Sequence, residues 1–333
     1  MLFPLPMTSR IAGYVARKRL TRTKKFPMVL MLEPLHACNL TCTGCGRIRE
    51  YESSIKQKLS IDECLAAVDE CGAPVVSICG GEPMIYPGIA ELVAKIQERK
   101  KVVILCTNGM FIRKKLTEFK PSRTFFFNVH LDGMRKNHDI AVEREGVFDA
   151  AIDGVKAAKE AGFLVCTNTT VFHETEMTEL DELFAYLTTL GVDGFIISPA
   201  YGYAAVNTKE IFMTRDDITA KFRAAEAMFR KYKFHCSPIY QEFLQGKREM
   251  QCTAWASPTR NIKGWKGPCY LITDTHHDSF DDLLNKTPWE NYGYGKDPRC
   301  ENCMVHVGYE MSAAVGVNGR LGYTLKMIKW QLS

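Results

Sequence analysis

Nowhere in the 333 residues does an apolar run approach the ~20 residues that a bilayer-spanning helix needs, so no such helix is expected. The N-terminus lacks a long apolar core followed by a cleavage site, and export is not expected either. Acidic residues are missing altogether from 1–32, which hold Arg10, Arg17, Lys18, Arg19, Arg22, Lys24 and Lys25. No internal repeat or low-complexity tract interrupts the chain. The net charge is only +5, and no platform of interleaved basic and aromatic residues continues the basic stretch, which argues against a nucleic-acid partner.

What the chain has in plenty is cysteine, thirteen in all. In a protein that is not exported a disulfide framework is improbable, so clustered cysteines read as metal ligands in a reducing cytoplasm. Hydrophobic residues make up 46% and charged residues 24%, the balance of a globular protein with a real core. The length suits one large α/β domain with an appendage, or two domains.

Cys38, Cys42 and Cys45 follow directly after the apolar run Met28–Leu32. Three thiols on one loop can converge on a single iron–sulfur cluster and leave one iron without a protein ligand. An open iron can hold a chelating small molecule, which points to a reactive cluster more than to a simple electron carrier. The competing reading is a zinc knuckle, for which His36 is the only close fourth ligand, or chance pairing of core thiols.

Apolar and amphipathic segments then alternate. Strands are expected at Met28–Glu33, Val75–Cys79, Val102–Cys106, Thr124–Leu131, Leu164–Val171 and Gly194–Pro199. Helices are expected near Ser60–Cys71, Ile89–Arg99, Phe111–Phe119, Val147–Ala161 and Glu176–Leu190. Ser60 and Glu63 fit a capping box, and Gly72, Gly162 and Gly191 sit at C-terminal cap positions. Strict alternation implies right-handed crossovers and a parallel sheet. Six units are too few for a closed eight-fold barrel of about 250 residues, so a partial (β/α)6 barrel is expected. Three regions follow: a basic arm over 1–27, a core over 28–210 and a C-terminal cysteine-bearing region over 211–333, entered through a helix near Thr214–Tyr232.

Each strand end carries a motif. The second ends Cys79-Gly80-Gly81-Glu82-Pro83, where two glycines let the backbone approach a ligand. The third ends Cys106-Thr107-Asn108-Gly109 and the fourth Asn128-Val129-His130-Leu131-Asp132-Gly133, with His138-Asp139 beyond. By strand alternation Asn128, His130 and Asp132 share a face, as do Cys106 and Asn108, and Cys166, Asn168 and Thr170, which suggests a polar lumen.

The CxxxCxxC loop with GGEP some 35 residues later resembles the radical S-adenosylmethionine (SAM) superfamily. The resemblance implies a partial barrel and a 4Fe–4S cluster on Cys38, Cys42 and Cys45 whose open iron binds SAM. It also implies SAM contacts from Gly80, Gly81, Glu82, Asn108, His130, Arg144 and Asn168. Three positions depart from the family pattern: Gly44 replaces an aromatic residue that packs on adenine, His130 replaces a serine, and Val142 stands where an arginine is usual, with Arg144 two places on.

Cys252, Cys269, Cys300 and Cys303, with Gly264 between the first pair, resemble a shortened auxiliary-cluster domain and would ligate a second iron–sulfur cluster. Structural zinc on the same thiolates is the alternative. His276, His277 and His306 are read as surface or supporting groups. Cys64, Cys71, Cys79, Cys166 and Cys236 read as core filler, whereas Cys106 is expected to face the radical site.

The chain as a whole resembles the adenosyl transferases of the hopanoid pathway within that superfamily. This implies that a 5′-deoxyadenosyl radical adds to the alkene of the membrane triterpene diploptene, with a flavodoxin- or ferredoxin-type electron donor, and Cys106 is expected to supply the final hydrogen. A membrane-resident substrate makes the basic arm a membrane-surface contact near the barrel mouth, on a cytoplasmic protein peripheral to the inner membrane face. A helix capping the barrel's bottom is the other reading of the arm. Phe125, Phe126, Phe127, Phe195, Tyr201, Tyr203 and Trp255 are candidate linings of an apolar tunnel. The rival functions are a peptide maturase with an auxiliary cluster and a non-catalytic iron–sulfur or zinc protein.

Overall fold

The computed structural model describes residues 3–315, 326, 327 and 329–331. Six parallel strands, β1 (Val29–Leu32), β2 (Val75–Ile78), β3 (Val102–Thr107), β4 (Phe125–His130), β5 (Leu164–Val171) and β6 (Gly194–Pro199), lie side by side in sequence order. This is the α/β partial barrel expected from the alternation. The boundaries fall within two residues of the expected ones, and Ser60 forms both halves of its capping box with Glu63. Gly72, Gly162 and Gly191 all have positive φ. The expected helix at Phe111–Phe119 is shorter, an α turn at Ile112–Lys115 followed by a 3-10 turn at Leu116–Glu118. The expected helix at Thr214–Tyr232 is two, Arg215–Ala224 and Glu226–Lys231.

The C-terminal region extends the same sheet. Strand β7 (Thr259–Asn261) pairs in parallel with β1, and β8 (Gly264–Pro268) and β9 (Thr273–His277) follow antiparallel.

Strand register sorts the lumen into levels. Met31 stands beside Ser77, Ser77 beside Ile104, Ile104 beside Phe126 and Phe126 beside Leu164. One level toward the strand ends, Cys106 pairs with Asn128, Asn128 with Cys166 and Cys166 with Gly194. Above that, His130 pairs with Asn168 and Asn168 with Ile196. The lumen therefore grades from apolar, through thiols and an amide, to polar. Alternate residues such as Leu30, Val103, Phe125, Phe127 and Phe195 face the outer helices and form the main core.

Helix α1 (Leu5–Leu20) closes the bottom. Its Met7 packs with Val75, Val102 and Phe126, at or near the N-terminal ends of their strands, and with Cys166, flanked by Phe3, Ile11 and Leu164. The Tyr14 hydroxyl donates to Pro27 O at 2.8 Å. This corrects the expectation of an arm beside the barrel mouth, because α1 lies at the opposite end and its apolar stripe covers the barrel floor.

One carboxylate beneath this frame titrates unusually. Glu310, on the helix His306–Val315, accepts the Ser237 backbone N–H at 2.9 Å, and burial pushes its pKa up to about 7. The folded state then holds a proton that the unfolded state releases between about pH 4.5 and 7, so stability falls as pH rises through that window. A Glu310→Gln protein is expected to lose this slope. In urea titrations from pH 5 to 8 the wild type should lose of the order of 2 kcal/mol and the variant little.

Candidate active site

Cys38, Cys42 and Cys45 lie on the loop that leaves β1, half-buried and free of disulfides. The loop is held from both sides. Arg49 Nη1 donates to Cys42 O at 3.1 Å and to Cys45 O at 2.5 Å. From the other side, the Thr41 and Thr43 hydroxyls each donate to the Glu143 carboxylate at 3.1 Å, and Thr43 N–H reaches Ala141 O. Glu143 has a φ of 56°, which costs a non-glycine residue about 1 kcal/mol or more. Sequence reasoning missed this clasp; an acidic residue one place after Val142 carries no spacing signal. Val142 itself packs with Leu40 against Cys38 and Cys42, so an apolar contact fills the place of the family's arginine. Burial lifts Cys38 to about 11 and Cys42 higher still, so the bare thiols hold their protons and must release them on ligating a metal.

The end of β2 is laced to the same loop. Gly81 N–H donates to Leu35 O and Glu82 N–H to Ala37 O at 2.9 Å. A Cβ on Gly81 would lie 1.9 Å from Ala37 O, and one on Gly80, whose φ is 105°, would lie 2.4 Å from Leu35 O. The Glu82 carboxylate, expected at the cofactor, is instead turned inward. It is 1% exposed and accepts Met84 N–H (2.8 Å), Thr107 Oγ1–H (2.7 Å) and Asn108 N–H (2.7 Å). Asn108 Nδ2 then donates to Asn39 Oδ1 at 2.8 Å, which closes a brace from β2 through β3 to the cysteine loop.

On the facing strands His130 Nε2 and Asp132 Oδ2 are 2.8 Å apart, and Asp132 Oδ1 accepts Thr170 N–H at 2.7 Å. Burial pushes the His130 ring down, but the charge and hydrogen bond of Asp132 outweigh it and leave its pKa raised. His138, whose Nδ1 accepts Asp132 N–H, is lowered to about 4 by burial and by the neighbouring His130. Asn168 carries a buried Oδ1 with no protein partner, free to receive a ligand's donor. Arg144 makes no side-chain contact with these groups. It stands exposed on the turn after Val142, its backbone N–H bonded to Asp139 O.

The departure at Gly44 has a structural counterpart. A Cβ there would meet the Phe172 ring at 2.5 Å, and a Cβ on Gly46 would meet Tyr203 at 2.3 Å. Rings from the ends of β5 and β6 thus occupy the space that side chains on either side of Cys45 would fill.

Cys252, Cys269, Cys300 and Cys303 line one cavity, together with Tyr201 and Trp255. Gly308 makes room for the first, since a Cβ there would touch Cys252 Sγ. Burial lifts Cys300 to about 11 and Cys303 to about 12. His276, His277 and His306 do not line this cavity. Among the described residues no three His, Cys, Asp or Glu side chains close on a point that one metal ion would fill.

Between the two cysteine sets lies an apolar patch of Met31, Cys79, Leu271, Val305 and Val307, joined by Cys106, Tyr201 and Tyr203. Cys79 and Cys166 are buried as expected, but both face the lumen and are not filler between sheet and helices. Ser77 Oγ lies 3.4 Å from Cys106 Sγ, and Asn128 Nδ2 donates to it at 3.5 Å. Burial raises the Cys106 pKa against these two hydrogen bonds, so the thiol keeps its hydrogen. Beside the patch the buried Glu33 carboxylate lies 3.3 Å from Arg47, whose guanidinium sits 3.8 Å over the Tyr270 ring and donates to Tyr270 O at 2.6 Å.

A partial barrel with three free thiols at the end of β1, braced by a glycine-rich β2 end, is an arrangement that three ligands of one iron–sulfur cluster would take. Residues 32–187 match the model of the radical SAM superfamily, and residues 195–327 match a domain of unknown function (DUF3463). Members of the superfamily use a 4Fe–4S cluster and SAM, and the three loop thiols suit that cluster. The chain is 28% identical over 201 residues to GTP 3′,8-cyclase 2 of Pseudomonas aeruginosa, covering 57% of this chain and 60% of the cyclase. It is 25% identical over 305 residues to the subtilosin biosynthesis protein AlbA of Bacillus subtilis, covering 85% of this chain and 65% of AlbA. The chain thus spans less than two thirds of the length of these relatives. Streptococcus suis SuiB bound to its precursor peptide SuiA shares the fold, with a TM-score of 0.64, 16% identity, and 93% and 77% of the two chains covered. So does anSMEcpe with bound AdoMet, with a TM-score of 0.56, 16% identity, and 92% and 97% covered. Among the described residues no helix is long and apolar enough to cross a membrane.

Proposed function

We propose that this chain is a radical SAM adenosyl transferase acting on the alkene of a membrane triterpene of the diploptene type, giving adenosylhopane. The observation that carries the reading is the lumen around Cys106, where a thiol that keeps its proton shares one largely apolar patch with Met31, Leu271, Val305 and Val307 and with the rings of Tyr201 and Tyr203. Such a patch suits a hydrocarbon and offers few partners to a peptide backbone. Cys38, Cys42 and Cys45 would hold the core cluster, and Gly80, Gly81, Asn108, His130 and Asn168 would surround SAM. Cys252, Cys269, Cys300 and Cys303, which line one cavity, would hold an auxiliary cluster.

When bound, the cluster and SAM supply a 5′-deoxyadenosyl radical, whose addition to a CH2= terminus leaves a tertiary carbon radical on the substrate. The chain's own part is to exclude water, hold the alkene and deliver hydrogen. Cys106 transfers its S–H hydrogen atom to the tertiary carbon, forming a C–H bond and leaving a thiyl radical. The exposed Arg17, Arg19, Arg22, Lys24 and Lys25 at the end of α1 would meet anionic lipid headgroups, with a flavodoxin- or ferredoxin-type donor supplying electrons.

A second reading, a peptide maturase, is favoured by the similarity to AlbA across 85% of the chain and by the fold shared with SuiB. Reconstituted enzyme given SAM, reductant and diploptene in anionic or neutral vesicles separates the two. An adenosylated triterpene is expected from wild type, with activity on anionic vesicles reduced at least fivefold in a triple Arg19→Glu, Lys24→Glu, Lys25→Glu protein. Cys106→Ala should give stereochemically mixed or incompletely reduced product. Absence of any triterpene adduct from wild type would overturn the transferase reading, and clean product from Cys106→Ala the role of that thiol.

A further inference from the structure

If Cys106 gives up a hydrogen atom in every cycle, as just proposed, a thiyl radical remains that must be reduced before the next turnover. Cys106 is half-buried in the lumen, held by Ser77 and Asn128. The lumen patch offers a path out. Cys79, 5% exposed at the end of β2, packs in one contiguous patch with Cys106 on the neighbouring strand and with Tyr270 and Cys269 of the C-terminal region. The Tyr270 ring packs against the same patch as the Cys79 thiol. Tyr270 is fixed from two directions, by the Arg47 guanidinium over its ring and by Lys266 Nζ, which donates to its carbonyl at 2.8 Å. It directly follows Cys269, which lines the second cysteine cavity.

We propose that Cys79 and Tyr270 form a hydrogen-atom relay that restores Cys106 after each turnover, drawing on the side of the protein where Cys269 lies. The inference rests on the assignment of Cys106 as hydrogen donor. In the first step Cys79–SH breaks its S–H bond and Cys106–SH re-forms, leaving a thiyl radical on Cys79. In the second, Tyr270 O–H breaks and Cys79–SH re-forms, leaving a phenoxyl radical. One electron and one proton then return Tyr270 to the phenol; the electron comes from a low-potential one-electron donor of the iron–sulfur or flavin class and the proton from solvent. Thiol S–H and phenol O–H bonds are of comparable strength, so neither transfer is steeply uphill. Seating the aromatic ring against a fixed cation keeps donor and acceptor in register without a moving part.

The test uses full-length enzyme with both cysteine sets reconstituted, SAM, reductant and diploptene. Tyr270→Phe, Cys79→Ala and Cys79→Ser proteins are expected to stop after about one product per chain, whereas wild type continues for at least tenfold more. Samples frozen during turnover should show a phenoxyl signal by electron paramagnetic resonance in wild type, and none in Tyr270→Phe. In the Cys79 variants the signal should be missing too, although their iron content and SAM-induced cluster spectrum match wild type. Continued turnover in Tyr270→Phe and in both Cys79 variants, with Cys106→Ala still impaired, would overturn the relay and leave the Cys106 role standing. Clean product from Cys106→Ala, or no product from wild type, would overturn both.

Discussion

A Gly81→Ala protein is expected to lose SAM binding and most of its iron, because the new methyl has nowhere to go. The Cβ would sit 1.9 Å from Ala37 O, 2.4 Å from Ala37 C and 2.6 Å from His36 O, all backbone atoms one or two residues before Cys38. A side-chain obstacle could rotate away. Backbone that is itself hydrogen-bonded to the Gly81 and Glu82 amides cannot. Relief needs a shift of well over 1 Å in the chain leading into the cysteine loop, which breaks those bonds and misplaces Cys38; the cost is of the order of 3 kcal/mol or more. Isothermal titration of reconstituted enzyme with SAM should show affinity down at least 100-fold, with iron content reduced. Wild-type affinity and iron content would show that the loop yields more easily than its hydrogen bonds allow. Gly80→Ala makes a useful partner, since it adds a strained φ to a contact with Leu35 O.

The strands were readable because buried parallel strands are short apolar runs, and each is followed by a turn rich in glycine or polar residues. The lumen face was readable from alternation within each strand; the register adds that Cys106 stands level with Asn128 and Cys166, and His130 with Asn168. What was hidden depends on contacts between residues distant in sequence. Nothing in the spacing shows that Phe172 fills the space beside Gly44, or that Glu143 holds Thr41 and Thr43, about a hundred positions away. The amphipathic arm was ambiguous for a different reason. An apolar stripe reports only that something covers it, and a barrel floor and a lipid surface present the same chemistry. Of the candidate tunnel aromatics, alternation assigns Phe126 to the lumen and Phe125 and Phe127 to the outer core, a distinction that a run of three phenylalanines leaves open until the register is known.

Replacing Glu82 by glutamine is the second large expected loss, although the two side chains have the same shape. Oε1 accepts from Met84 N–H and the Thr107 hydroxyl, and Oε2 accepts from Asn108 N–H, so both oxygens face donors. A glutamine can present oxygen to one side only. If its NH2 takes the Oε2 position it confronts the Asn108 amide at about the 2.7 Å of the present bond, donor against donor. If it takes the Oε1 position it confronts Met84 N–H. Burial raises the Glu82 pKa, and the three donors pull it back. The site is therefore built for an acceptor on both sides, and the amide leaves at least one buried N–H unpaired. The expected cost is about 2–4 kcal/mol, read as a lower denaturant midpoint at unchanged slope. Function should suffer beyond stability, since Asn108 carries the strain to Asn39 beside Cys38. At 10 °C, where the folded population is restored, SAM affinity should still be down at least tenfold. A Glu82→Gln protein as stable as wild type, and binding SAM as tightly, would mean that the carboxylate is not the brace between β2, β3 and the cysteine loop.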